Sequence, residues 1–210
     1  MTAPWPPNSE SEYMAAAELR LGEQLTARMR QVTTLVFDCD GVLTDGRMYY
    51  GPDGEAFKAF HAHDGLGLVL ARAGGLKLAL LTGRHSAPAE RRCTELRFHS
   101  LKLGRFDKQR ALLEICEELG CTGEQVLYLG DDLIDIPAMD LCGVPVCVPA
   151  AGDEVRNRCL LETKASGGFG AVREICELVL QIQGRYAEAL AKVGEKAWLP
   201  KTADNGEDKS

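Results

Sequence analysis

The stretch LVFDCDGVLTDG, residues 35–46, ends an apolar run in two aspartates, Asp38 and Asp40, with Gly41 directly behind them. Like charges this close repel, and partial burial makes each more costly to ionise. The pair therefore implies a compensating positive group. The run itself, 33–37, has the length and continuity of a strand buried on both faces. The pattern recurs downstream. Residues 77–81 (KLALL) run into Thr82, Gly83 and Arg84, and residues 126–129 (VLYL) run into Gly130, Asp131 and Asp132, with Asp135 a turn later. A weaker run lies at 145–148 (PVCV). Helical spacing over 65–73, 86–96, 107–119 and 171–183 separates these runs. The alternation predicts an α/β fold with a doubly wound, Rossmann-like parallel sheet. In such sheets ligands bind at the carboxyl ends of the strands, where all these polar groups fall.

The segment from Asp107 starts with a capping residue, places Lys108 on its first turn, and carries Leu112, Leu113, Cys116 and Leu119 on one face before Gly120 stops it. Residues 12–30 predict a further helix. Between the first and second strands, residues 47–60 (RMYYGPDGEAFKAF) predict a β-hairpin turning at Gly51-Pro52-Asp53-Gly54. His61 and His63 follow, read as sharing one face of a hairpin arm. Residues 1–11 are expected to be disordered, 12–190 to form one domain, and 191–210 to be a flexible tail.

At 210 residues the chain can bury a full core, and 45% hydrophobic with 26% charged residues is globular composition. A net charge of −7 argues against nucleic acid as a partner. No apolar run reaches the roughly 20 residues of a membrane span, and the start MTAPWPPNSESEY has no signal-peptide character, so a cytoplasmic protein without a membrane partner is expected. The eight cysteines include no C-x-x-C pair and are expected to be free thiols, with Cys39, between the two aspartates, the one to follow. The G-x-x-x-x-G-K-[ST] signature of nucleotide-driven enzymes is missing.

Each element has a plain reading alone. D-x-D-G is a common turn, Thr82-Gly83 can close a strand, Lys108 can be a surface residue, and Asp131-Asp132 can cap a helix. Their joint placement at strand ends favours chemistry. Several carboxylates on one rim call for a hard divalent cation, Mg²⁺. With it, Asp38 can stay an anionic nucleophile while Asp40, its side chain held away from the ion, serves as acid and then base. Thr82 and Lys108 suit a phosphoryl group in transit. A phospho-receiver domain uses similar parts but has no acid/base two residues beyond its phosphoacceptor, so Asp40 argues against that class.

These residues resemble the haloacid dehalogenase superfamily of aspartate-nucleophile phosphatases over roughly 33–183: D-x-D-G at Asp38–Gly41, Thr82 in LLTGR, Lys108, and GDDLID at 130–135. The resemblance implies Asp38 as nucleophile and Asp40 as general acid/base. It implies Mg²⁺ held by Asp38, the backbone carbonyl of Asp40, and Asp131, with Thr82 and Lys108 on the phosphate and Asp132 and Asp135 in support. The spacing between motifs leaves no room for a cap domain, so hairpin 47–60 is expected to close the site, from a neighbouring subunit. Within the superfamily the text DGVLTDGRMYYGPDGEAFKAFHAHDGLG, with GDDLIDIPAM and GGFGAVREICELVL, resembles the 3-deoxy-D-manno-octulosonate 8-phosphate (KDO 8-phosphate) phosphatases. That family implies a homotetramer and an anionic sugar-phosphate substrate of lipopolysaccharide precursor synthesis. Beside Gly83, the guanidinium fork of Arg84 suits a phosphate or a substrate carboxylate, and His61 and His63, bordering the site, read equally as substrate contacts or as packing and interface residues. The chain departs from it in having His61-Ala62-His63 where Asn-x-Arg is usual, and Gly167-Gly168-Phe169-Gly170 where Gly-Gly-Arg-Gly is usual. A nine-carbon 2-keto-3-deoxy sugar acid phosphate is the alternative substrate, and a catalytically silent oligomerisation relative the alternative class.

Overall fold

The computed structural model describes residues 5–198. Its centre is a six-stranded, wholly parallel sheet. The strands are β1 (Thr34–Phe37), β4 (Lys77–Leu81), β5 (Ser100–Lys102), β6 (Val126–Gly130), β7 (Val144–Cys147) and β8 (Leu161–Glu162), in the order β5-β4-β1-β6-β7-β8. From β1 the chain winds outward first through β4 and β5, then returns to β6 and winds the other way. This is the doubly wound topology, and the crevice between β1 and β6 is its switch point.

Both faces of the sheet are covered. Leu35, Phe37, Leu78, Leu80, Leu127 and Leu129 point to a core shared with helices α3 (Ala62–Ala73) and α8 (Ala171–Ile182). The alternate positions Val36, Ala79, Leu81, Val126 and Tyr128 point to a second core under α5 (Lys108–Leu119) and the short α6 (Ile136–Met139). Two-sided burial is why these strands read as continuous apolar runs, and each fully buried leucine contributes about 1.5–3 kcal/mol. Helices α1 (Glu10–Leu21) and α9 (Tyr186–Trp198) pack outside α3 and α8, while α4 (Ala87–Glu95) follows β4.

Several boundaries differ from the sequence reading. The helix expected over 12–30 is two, α1 and α2 (Glu23–Gln31), broken at Gly22, whose φ of 73° a glycine adopts without strain. The first begins inside the stretch expected to be disordered, because Ser9 and Glu12 form a reciprocal capping box. The expected tail from 191 is helical to Trp198, while residues 1–4 and 199–210 lie outside the described residues. Asp107 occupies the N-cap of α5 without capping it, since its carboxylate is bound by Arg105 at 2.7 and 2.8 Å. Leu113 faces solvent, and Ile115 takes its place in the core.

The hairpin is present but short: β2 (Tyr49–Gly51) against β3 (Gly54–Phe57). Phe60 leaves it to pack on the first core. Helix α3 begins at Ala62, so His61 is its N-cap and His63 lies in its first turn, not on a hairpin arm.

Candidate active site

Parallel pairing carries the motif residues to one rim. Phe37 lies opposite Leu80 on one side and Leu129 on the other, so Asp38, Thr82 and Asp131 all emerge one or two residues beyond paired positions. The pairing with β6 extends to the aspartate itself, whose N–H donates to the Leu129 carbonyl at 3.0 Å. Beyond it the chain turns sharply at Gly41, where φ is 91°. A Cβ there would stand 2.0 Å from Asp131 Oδ2, so glycine is what lets that carboxylate lie over the loop.

Lys108, fully buried on the first turn of α5, donates to Asp38 Oδ1 at 2.7 Å and to Asp135 Oδ1. Asp135 also accepts from the Tyr128 hydroxyl at 2.7 Å and from the backbone N–H groups of Asp131 and Asp132 at 2.9 and 3.1 Å. Gly130 makes room for it, since a Cβ there would meet Asp135 Oδ2 at 2.5 Å. Both Asp135 oxygens are thus engaged, and the residue fixes Lys108 and the Asp131 loop. Asp132 is exposed and caps the short turn Leu133–Asp135 by accepting from the Leu133 N–H at 2.7 Å.

Carboxylate oxygens of Asp38, Asp131 and Asp135 lie within 4.8 Å of one another. Burial pushes the Asp38 carboxyl up to about 7, against the pull of Lys108. Burial, then the charges of Asp38, Asp135 and Asp132, push Asp131 up to about 8. Burial opposes the charge of Lys108, but Asp38 and Asp135 outweigh it and hold its pKa above the ordinary value. With Asp135 satisfied, one ammonium faces the remaining two carboxylates. The site is short of positive charge, and its hard oxygen donors fit a divalent ion such as Mg²⁺.

Asp40 stands outside that cluster. Its carboxylate is bound by Lys58, and Arg84 Nε lies 3.7 Å from its other oxygen. Lys58 Nζ is also 2.9 Å from Glu55 Oε1, and Ser86 Oγ donates to Glu55. Arg84 Nη2 donates to the Tyr50 hydroxyl at 2.9 Å. Thr82 is buried at the end of β4, its N–H donating to the Lys102 carbonyl at 2.9 Å and its own carbonyl accepting from Arg105 at 2.9 Å. Gly83 abuts exposed Phe106, whose ring a Cβ would meet at 3.2 Å.

His61 and His63 stand edge to face, ring centroids 5.0 Å apart, with the Phe169 ring 6.4 Å from His61. Between them and α8 lies buried Asp64, which accepts from the N–H groups of Gly170 and Arg173 at 3.2 and 2.8 Å. The loop before α8 presses on the nucleophile loop: the Gly168 N–H donates to the Val42 carbonyl at 3.0 Å. A Cβ on Gly167 would come within 1.7 Å of the Gly41 carbonyl oxygen. Cys39 is buried, and burial pushes its thiol well above the ordinary range, so it is inert. All eight cysteines are free.

The sequence reading missed Lys58, Glu55 and Tyr128. Nothing in the pattern of the hairpin distinguishes Lys58 from a solvent-facing lysine, and Tyr128 reads as one more strand aromatic.

Comparison with known proteins matches residues 100–173 to the haloacid dehalogenase-like hydrolase family. The KDO 8-phosphate phosphatase of Escherichia coli is 40% identical over 163 residues, 78% of this chain and 87% of the relative. The KDO 8-phosphate phosphatase of Moraxella catarrhalis, solved with magnesium, phosphate and KDO, superposes with a TM-score of 0.77 at 35% identity, covering 81% of this chain and 98% of that one. A cobalt-bound KDO 8-phosphate phosphatase of Haemophilus influenzae gives 0.75 at 35% identity, covering 78% and 99%. Joined to a rim of carboxylates whose hard oxygen donors fit a divalent cation, these likenesses decide the matter: the chain belongs to the KDO 8-phosphate phosphatase family of the haloacid dehalogenase-like hydrolases.

Proposed function

We propose that this protein is a Mg²⁺-dependent phosphatase that hydrolyses KDO 8-phosphate to KDO and phosphate through an aspartyl-phosphate on Asp38. The observation that carries this reading is the buried Lys108 bridging Asp38 and Asp135, with Asp131 facing them, in a chain whose Moraxella relative was solved with magnesium, phosphate and KDO.

Asp38, Asp131 and the backbone carbonyl of Asp40 would hold the ion. The chemistry a bound Mg²⁺ supplies is neutralisation of the facing carboxylates and of the phosphoryl oxygens. Lys108 fixes Asp38 Oδ1 and adds charge at the phosphoryl group, and Thr82 offers a hydroxyl there. Asp38 attacks phosphorus while Asp40 gives its proton to the leaving alcohol oxygen. Asp40, now a base, takes a proton from water, and the water oxygen attacks phosphorus to free Asp38.

Arg84, Gly83, His61 and His63 form the substrate side of the rim. Among the described residues no helix is long and apolar enough to cross a membrane, and we place the enzyme in the cytoplasm, where its thiols stay reduced. Met48, Tyr50 and Phe57 are exposed on the hairpin, with Tyr49 stacked on Phe57 at 4.4 Å. So much apolar surface on one arm favours burial in a homotetramer whose neighbour's hairpin closes the site.

The exchange of two family arginines for His63 and Phe169 favours one second reading, a nine-carbon 2-keto-3-deoxy sugar acid phosphate as substrate. Released phosphate measured across both sugar acids and a simple alkyl phosphate tests the two readings. KDO 8-phosphate should give the highest kcat/KM. A higher value for the nine-carbon acid selects the second reading, and equal values for all refute both. Light scattering that returns the mass of a single chain would refute the tetramer.

A further inference from the structure

The Lys58 side chain is 1% exposed at the base of the hairpin, and among the described residues its ammonium is engaged by two carboxylates: Asp40 and, at 2.9 Å, Glu55. A buried ammonium is retained only with fixed partners, and removing one partner leaves the others unpaired. Glu55 is itself anchored by Ser86 Oγ, which also accepts from the Ala89 N–H at 3.3 Å as the N-cap of α4. A chain of contacts thus runs from the scaffold through Ser86, Glu55 and Lys58 to Asp40. It passes through the hairpin, which therefore reaches the acid/base residue directly.

Asp40 lies two residues from Asp38, next to a cluster that attracts a divalent cation. A carboxylate so close is drawn to that cation. Once ligated there it could neither give nor take the proton of the reaction. Lys58, bound to one oxygen of Asp40, is a rival positive charge, with Arg84 Nε 3.7 Å from the other oxygen.

Building on the phosphatase reading, we propose that Lys58 is a positioning residue that holds the Asp40 side chain off the cation site and toward the leaving alcohol. The hairpin is thereby part of the proton-transfer machinery as well as a cover.

Leaving-group dependence tests this. A primary alkyl phosphate needs a proton on its leaving oxygen, whereas p-nitrophenyl phosphate releases a stable anion. The kcat/KM value reports the steps through formation of the aspartyl-phosphate. In Lys58→Met, kcat/KM for the alkyl ester should fall at least about tenfold more than for the aryl ester, a tenth or less of what general acid catalysis can supply. Lys58→Arg should restore most of the ratio. Calorimetric Mg²⁺ titration, independent of turnover, should show Lys58→Met binding the ion at least about threefold more tightly, because Asp40 is freed to join it.

Equal losses for both esters, or weaker Mg²⁺ binding, would overturn the proposal and leave Lys58 a structural residue. Should Lys58→Met fail to fold, Glu55→Ala, which removes one of the two anchors of Lys58, is read by the same ratio. An unchanged ratio there counts against the proposal. Asp40→Asn run in parallel separates the two readings. If it lacks the leaving-group signature, the acid assignment fails. If it shows the signature and Lys58→Met does not, only the role of Lys58 fails.

Discussion

Magnesium should enter this site by expelling protons, and the number expelled should fall steeply with pH. In the metal-free protein Asp38 titrates near 7 and Asp131 near 8, both raised chiefly by burial. An ordinary aspartate titrates near 3.9. At pH 7 the pair therefore holds about one and a half protons, and at pH 9 about a tenth of one. The ion binds carboxylates, so those protons must leave. Apparent affinity should then rise more than about tenfold from pH 6 to pH 7 but only about twofold from pH 8 to pH 9. The sign for stability follows from the same shifts. A carboxyl whose folded pKa is raised stabilises the fold most below its unfolded pKa, and that contribution is lost as pH rises through the folded value. Metal-free protein should thus weaken between about pH 4 and pH 8, and Mg²⁺ should restore more stability at the upper end of that window. Titration calorimetry in two buffers of different ionisation enthalpy counts the protons directly. Release below about a quarter of a proton at pH 7, or an affinity flat from pH 6 to pH 9, would refute the picture of two carboxylates kept apart from their charge by burial.

Two further outcomes are expected. Gly41→Ala places a methyl 2.0 Å from Asp131 Oδ2 at a φ of 91°, so backbone strain of about 1–2 kcal/mol should accompany at least about a tenfold loss of Mg²⁺ affinity; thermal melting with and without the ion checks both, and wild-type affinity would refute the close approach. Arg84→Ala should cost about ten- to a hundredfold in kcat/KM with the sugar acid, one charge-assisted contact, and less with a small ester lacking a carboxylate; equal losses would assign Arg84 to the transferred phosphate instead.

What the sequence disclosed followed from where burial is two-sided. Strands β1, β4 and β6 are covered on both faces, so each is an unbroken apolar word, and the functional groups are the first polar letters after it. Strands β5 and β8 escaped because they are edges of three and two residues whose partly exposed positions impose no pattern. The break between α1 and α2 turned on one φ at Gly22, which helical spacing on either side conceals. His63 was misplaced for a related reason: helix α3 starts at Ala62, well before its first core leucine, Leu68, so periodicity finds the face and not the start.

The same division runs through the site. Asp38, Asp40 and Asp131 were legible as carboxylates gathered just beyond strand ends, and Lys108 as a lysine at the start of the neighbouring helix. Lys58 and Tyr128 were not, because their meaning lies wholly in partners brought near by folding. Lys58 belongs with Asp40, on the far side of the hairpin turn, and Tyr128 with Asp135 across a loop. Each shields a carboxylate from a competing role: Tyr128 and Lys108 saturate Asp135, and Lys58 holds Asp40. Asp38 and Asp131 are left as the carboxylates with unmet charge. Selectivity among these aspartates is thus set by how far each is already engaged: Asp135 is bound on both oxygens, Asp40 is tied to Lys58, and Asp38 meets Lys108 through Oδ1.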